Sequence, residues 1–245
     1  MREEGLRALA GVTEEGNLAE AVRRLGAGPF DDVAREWFDK LEGRRSELLK
    51  STAPIWVNSM GASGETMTVG EVCERASKQP HWAAFLYELV RLEEPRVVFE
   101  MGTSVGISGC YLAAGLAANG RGRLVTLEGR SDVAEVAARG FKELALPAEI
   151  VVGRFDDTFE PALRAAAAVD LIFIDGNHHE EPTVRYFTQA LEWLSPHALV
   201  VFDDIGWSPG MKRAWATVSR HRAVRTAVDM HEVGVVRLKE KRRNQ

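Results

Sequence analysis

Five short, almost continuously apolar runs in the second half of the chain constrain its fold more than any other feature. They are RVVFEM (96–101), RLVTLE (123–128), AEIVVG (148–153), DLIFID (170–175) and ALVVFDD (198–204). A strand reads this way when both of its faces are covered, as in a parallel sheet wrapped in helices. Helical segments separate the runs: GCYLAAGLAANG, SDVAEVAARGFKEL, TFEPALRAAAA and PTVRYFTQALEWL. In the last of these, Phe187, Ala190, Leu191 and Leu194 recur at i, i+3, i+4 and i+7, the stripe of a helix packed on one side. This alternation predicts an α/β, doubly wound, mostly parallel sheet. One more helix follows, GMKRAWATVSRH. AVRTAVDM and EVGVVRL then lie close enough for an antiparallel C-terminal hairpin at the sheet edge.

The first 66 residues read as a separate helical extension ending in a lid-like loop, with the sheet domain over 67–245. In FDDVAREWFDKLEGRRSELL, Val33, Trp37, Phe38 and Leu41 fall near one helical face. That face is expected to pack on the domain or to build a homodimer or higher homo-oligomer. Residues 51–67 are rich in Gly, Ser and Pro and read as a loop. Thr68 stands three residues before Glu71, a capping-box spacing. Pro80 suits the first turn of the next helix.

Charge and cysteine usage exclude several classes. A net charge of −5 gives no global pull toward nucleic acid or an anionic membrane. The basic tail LKEKRRNQ reads as a solvated end. Cys73 and Cys110 form no CxxC pattern, which argues against a zinc site or disulfide scaffold and suits a reducing cytoplasm. No apolar run reaches the roughly 18–20 residues of a membrane span. MREEGLRALAG has neither the basic flank nor the apolar stretch of a signal peptide.

The first of the five runs opens into a glycine loop, VVFEMGTSVGISGC, with Glu100, Gly102, Gly106 and Ser108. Glycines let the backbone turn sharply and approach a ligand, and the helix that follows offers free N–H groups. The spacing E-x-G-x-x-x-G-x-S is not the G-x-G-x-x-G of a dinucleotide loop, which counts against a nicotinamide cofactor. The second run ends in Glu128, where a strand-end acid can hold ribose hydroxyls. Together they point to a nucleoside ligand.

From about 67 to 238 the chain resembles the class I S-adenosylmethionine-dependent methyltransferases. Within that class it is similar to the catechol-type, metal-dependent O-methyltransferases and their bacterial relatives acting on sugars and natural products. The resemblance implies a Rossmann-like fold with a seven-stranded sheet. It implies that Glu100, Gly102, Thr103 and Ser104 lie by the methionine end of the cofactor, with Thr68 and Val69 capping it. Gly106 and Ser108 would shape that pocket, and Glu128 would hold the ribose. VVGRFDD would bring Phe155 and Asp156 to the adenine.

The family's strand order would bring Asp175, Asp203 and Asp204 together, with Asp175 also beside the cofactor. Three neighbouring carboxylates repel one another unless a proton or a cation intervenes. A hard divalent ion, Mg²⁺ or Mn²⁺, suits such oxygen donors. In FIDGNHHEE the family's catalytic lysine is replaced by His178, three residues after Asp175, matching the D-G-x-H of several bacterial relatives. His178 is the expected general base. His179 reads as a turn residue or a support. Trp56, Met60, Met67 and Trp207 lie in segments expected at the entrance. The expected activity is O-methylation of a small-molecule hydroxyl on a sugar, catechol or natural product. The alternatives are a metal-independent small-molecule methyltransferase and a non-catalytic S-adenosylmethionine-binding protein. Nucleic-acid methylation is disfavoured, because neither a basic groove nor an Asn/Asp-Pro-Pro-aromatic motif is present.

Overall fold

The computed structural model describes residues 16–25, 30–57 and 65–240. Residues 1–15, Met60 and the last five residues of the basic tail lie outside them.

Helices α1 (Asn17–Arg24) and α2 (Asp32–Leu49) are followed by the short strands β1 (Pro54–Val57) and β2 (Glu65–Thr68). Helices α3 (Val69–Ala76) and α4 (Pro80–Glu93) lead into the sheet domain. There β3 (Val97–Met101), α5 (Ile107–Ala118), β4 (Arg123–Glu128), α6 (Ser131–Glu143) and β5 (Ala148–Val152) come first. Then follow α7 (Phe155–Ala166), β6 (Val169–Ile174), α8 (Glu180–Ala190) and β7 (Leu194–Phe202). Helix α9 (Pro209–Ser219), β8 (Val224–Asp229) and β9 (Gly234–Leu238) complete the order. Among the described residues no helix is long and apolar enough to cross a membrane.

The sheet runs β5-β4-β3-β6-β7-β9-β8. Its first five strands are parallel, and β9 pairs antiparallel with both β7 and β8. The expected doubly wound, seven-stranded architecture is therefore present. Strand order reverses between β3 and β6, which opens a crevice beyond their carboxyl ends.

Alternation along the strands divides the core into two layers. Val98, Leu171, Phe173, Leu199 and Val201 face the layer built with α4 and α5. Phe99, Met101, Ile172, Ile174, Val200 and Phe202 face α7 and α8. Both faces are covered, which is why these runs are apolar throughout.

The N-terminal helices pack on the first layer. Leu18, Val22, Leu41 and Leu48 join its buried cluster, and Phe38 meets Tyr87 edge-on at 5.0 Å between centroids. Arg24 pairs with the buried Glu88 at 2.8 Å. Much of the stripe expected for oligomerisation is thus used within the chain, while Val33 stays exposed. Thr68 caps α3 in a reciprocal capping box with Glu71, and Pro80 sits in the first turn of α4.

Two local expectations are corrected. Residues 51–67 are not all loop: β1 and β2 pair antiparallel from Pro54↔Thr68 to Val57↔Glu65. Helix α8 stops at Ala190, so Leu194 is not on its stripe but pairs with Val169 at the start of β7. The Trp193 N–H turns back to Ala190 O, and Trp193 O accepts from Val169 N–H. Ser195 precedes Pro196 and is biased away from helical backbone, so extension wins over helical continuation.

Candidate active site

The strand ends are locked together by hydrogen bonds that continue past the ladder. Asp175 N–H donates to Met101 O at 2.9 Å, and Asp203 N–H donates to Ile174 O at 3.0 Å. Gly102 and Thr103 N–H groups both donate to Leu127 O. The ends of β3, β4, β6 and β7 thus share one rim.

Gly102 has φ 110°, and a Cβ there would lie 2.1 Å from Asp175 O. Only a glycine lets the loop after β3 pass the end of β6 this closely. Ser104 and Asp204 are also left-handed, at φ 49° and 54°. Such backbone in residues other than glycine is sparse and clusters at functional turns.

Above this rim lies a cleft of about 760 Å³, within the size range of small-molecule sites. Of the residues singled out in the sequence, Gly102, Ser104, Glu128, Phe155, Asp175, His178, Asp203 and Asp204 line it, with Met67 and Trp207 at the same cleft. Trp207 is 75% exposed at the mouth of the cleft. Glu128 accepts from Ser104 N–H at 2.8 Å and Arg130 N–H at 3.1 Å, which ties the glycine loop to the end of β4. Burial pushes its carboxyl above the ordinary value.

Other expected positions do not reach the cleft. Glu100 is wholly buried and shares the Val98 side of β3, the α5 layer. Its Oε2 accepts from Thr126 Oγ1 at 2.6 Å, and Thr126 Oγ1 meets Thr103 Oγ1 at 2.6 Å. Its Oε1 has no partner, and burial raises its pKa to about 7. Glu100, Thr103 and the buried Ser108 therefore support the loop from behind. Gly106 caps α5 at φ 90° against Ala137. Thr68 is spent on the cap of α3, and Val69 is buried in the core. The segment that lines the cleft from this side is Arg75–Gln79. Asp156 turns away to accept from Arg185 and Tyr186, each at 2.8 Å, and these bonds hold its pKa low. Trp56 is outside the cleft lining; its backbone is tied to Asp132 and Arg130.

The acids do converge. Ligand oxygens of Asp203, Asp204 and Glu232 lie within 4.8 Å of one another. Asp175, expected as the third ligand, is not in that trio; Glu232 takes its place, and Asp175 lies beside Asp203. Burial first, then Asp203, drives its pKa well above the usual carboxylate range. Asp204 is raised for the same two reasons, with Lys78 and His178 opposing. His178 lies between them, Nε2 at 3.7 Å from Asp175 Oδ1 and Nδ1 at 3.5 Å from Asp204 Oδ2. His179 supplies the backbone cap of α8.

Sequence reasoning missed two members. Glu232 arrives because β9 inserts between β7 and β8, so the β8–β9 turn meets the end of β7; Ile205 N–H donates to Glu232 O at 3.0 Å. Lys78, nearly buried, contacts Asp203 Oδ2 and lies 3.7 Å from Glu232 Oε1. Burial lowers its pKa, but Asp203, Asp175 and Asp204 more than offset this, so the ammonium is held charged. No motif surrounds Lys78. A signal existed for Glu232 only in the acid at the hairpin turn.

Similarity to known proteins agrees with this geometry. Residues 99–205, from β3 to just past the acid pair, match the family model described as a methyltransferase domain. A catechol O-methyltransferase of Niastella koreensis is 31% identical over 53% of this chain and 58% of its own length. One from Mycobacterium tuberculosis is 37% identical over 49% of this chain and 53% of its own. The chain thus spans little more than half the length of the curated relatives it matches. Among solved structures, the O-methyltransferase TomG of Streptomyces achromogenes, involved in tomaymycin synthesis and bound to SAM, is 28% identical with a TM-score of 0.58. That match covers 68% of this chain and 82% of TomG. An O-methyltransferase from Bacillus cereus in complex with SAH shares the fold, with a TM-score of 0.60 at 20% identity over 86% of this chain and 92% of that one. The crevice, the glycine loop and the strand-end acid Glu128 all fall within the matched stretch 99–205, where the chain is similar to the S-adenosylmethionine-dependent methyltransferases.

Proposed function

We propose that the protein transfers the sulfonium methyl of S-adenosylmethionine to a hydroxyl of a small molecule, a sugar, catechol or natural product, with His178 as general base and a divalent ion assisting. The observation that carries this reading is the convergence, in one cleft, of the glycine loop, Glu128 and an acid cluster that contains a histidine. The cofactor's nucleoside would lie along Gly102, Ser104 and Glu128, with Phe155 as the apolar wall beside Gly176.

The donor set fits Mg²⁺ or Mn²⁺. Asp203, Asp204 and Glu232 offer hard oxygens within one ion's reach, with Asp175 beside them, and Asp203 Oδ1 is buried with no hydrogen-bond partner. When bound, such an ion makes a hydroxyl oxygen more acidic. The chain's own residues do the rest. His178 accepts the hydroxyl proton as the oxygen attacks the methyl and the carbon–sulfur bond breaks. Asp175 and Asp204 flank the ring, at 3.7 Å from Nε2 and 3.5 Å from Nδ1. The rigid rim holds the two reactants in line, the larger part of the acceleration. Trp207 offers an apolar face to the acceptor.

The test is methyl transfer to a panel of catechols, sugars and phenolic natural products by wild type and His178→Asn. A general-base role predicts a fall in kcat of roughly 10²–10⁴-fold, with cofactor affinity unchanged. Full activity in the variant would remove His178 from the chemistry. Turnover of none of the panel by a protein that binds the cofactor would favour the non-catalytic reading. One observation favours a metal-independent enzyme: Lys78 already places a positive charge on Asp203.

A further inference from the structure

We propose that Lys78 is the resident cation of the acid cluster, and that a divalent ion enters only by displacing its ammonium from Asp203. The inference rests on the metal-assisted reading above and names a residue that sets how the ion is taken up.

Lys78 is the residue before Gln79, which caps α4, so its backbone is anchored where the chain turns from α3 into α4. Its side chain is only 10% exposed. The ammonium sits on Asp203 Oδ2 and 3.7 Å from Glu232 Oε1, inside the trio that would supply an ion's ligands. Asp203 is 2% exposed, so Lys78 is not a solvated surface partner but the counter-charge of a buried carboxylate. The second oxygen, Oδ1, remains without a partner.

A magnesium ion binds carboxylate oxygens at about 2.0–2.1 Å. The ammonium and such an ion cannot both occupy Oδ2. An ion on Oδ1 would still lie a few ångströms from a fixed positive charge. The acid cluster repels itself when bare, and Lys78 relieves that repulsion before any ion arrives. Its presence therefore stabilises the empty cleft and weakens the affinity for a divalent ion. On this reading, ion binding moves the Lys78 side chain off Asp203.

The experiment is calorimetric titration of Mn²⁺, and separately Mg²⁺, into the full chain as wild type, Lys78→Met and Lys78→Gln. Circular dichroism melts and S-adenosylmethionine affinity serve as controls for folding. Methionine keeps the length and apolar stem of lysine without its charge, and glutamine also keeps a donor for Asp203. Either uncharged variant should bind the ion at least tenfold more tightly than wild type, and Asp203→Asn added to it should remove the gain. Equal or weaker affinity in the folded variants overturns the displacement and leaves the metal reading standing. Binding of no ion by wild type or by either folded variant overturns both. Lys78→Arg keeps the charge and can grip Asp203 through two N–H groups. It should bind the ion at least threefold more weakly than wild type, and unchanged or tighter binding would overturn the inference even if neither uncharged variant folds.

Discussion

Replacing Glu100 by glutamine should make the protein more stable at alkaline pH and change little at acidic pH. Glu100 is wholly buried, with Oε2 accepting from the Thr126 hydroxyl and the Ser108 hydroxyl also beside the carboxyl. Burial is the leading cause that lifts its pKa from an ordinary 4.5 to about 7. A carboxyl raised on folding favours the protonated native state. Its contribution is whole below pH 4.5 and is lost as pH rises through 7. A shift of that size corresponds to about 3 kcal/mol between the two limits. Glutamine imitates the protonated acid: it keeps an oxygen for Thr126 and carries no charge. Urea unfolding of the cofactor-free protein at half-unit steps from pH 5 to 8.5 gives the difference directly. Near pH 5 the two proteins should agree within about 1 kcal/mol, the usual scale of a hydrogen-bond change. By pH 8.5 the variant should lead by about 3 kcal/mol, with most of the divergence above pH 5 and below 8. A difference that stays flat across this range would refute the assignment of a buried, proton-holding Glu100.

Three further substitutions separate the cleft from its supports. Gly102→Ala places a Cβ 2.1 Å from Asp175 O at a φ of 110°, so a melt should show a loss of several kcal/mol, with cofactor binding abolished in what remains folded. Glu128→Gln removes a charge that two loop N–H groups address; calorimetry should find S-adenosylmethionine bound about tenfold more weakly, the scale of one weakened charged hydrogen bond. Asp156→Asn breaks the pairing with Arg185 and the Tyr186 hydroxyl at an exposed site. It should cost no more than about 1 kcal/mol in a melt and leave cofactor affinity unchanged, whereas an affinity loss would return Asp156 to the adenine pocket.

The parallel core of the sheet was legible because a strand covered on both faces leaves a continuous apolar trace. Helix α3 was legible for a different reason: the Thr68 and Glu71 side chains each accept from the other's backbone N–H, a purely local arrangement. The end of α8 was not. Phe187, Ala190, Leu191 and Leu194 satisfy a helical stripe, and the same Leu194 satisfies a strand position beside Val169. Which one wins depends on a partner strand far away in sequence. The β1–β2 hairpin failed to show for a similar reason, since PIWV and ETMT are too short to display a period.

At the site, the legible residues are those whose position follows from a strand end. Glu128, Asp175 and Asp203 are fixed by the last rungs of β4, β6 and β7, and the sheet brings them to one rim. Glu100 shows the limit of that reasoning. It too is near a strand end, but one residue earlier than a rim position, and parity alone turns it into the α5 layer instead of the cleft. Glu232 and Lys78 follow from no local rule. One depends on β9 entering the sheet between β7 and β8, the other on how the turn between α3 and α4 meets the end of β7. Motif reasoning therefore finds the acids, whose spacing is tied to strands, and misses the cation that neutralises them. An excess of unpaired charge in a motif is itself a prompt to look for its counter-charge elsewhere in the chain. Asp175, Asp203 and Asp204 repel one another where their strand ends meet, and the chain supplies a counter-charge 97 residues before Asp175 and 125 before Asp203, at Lys78.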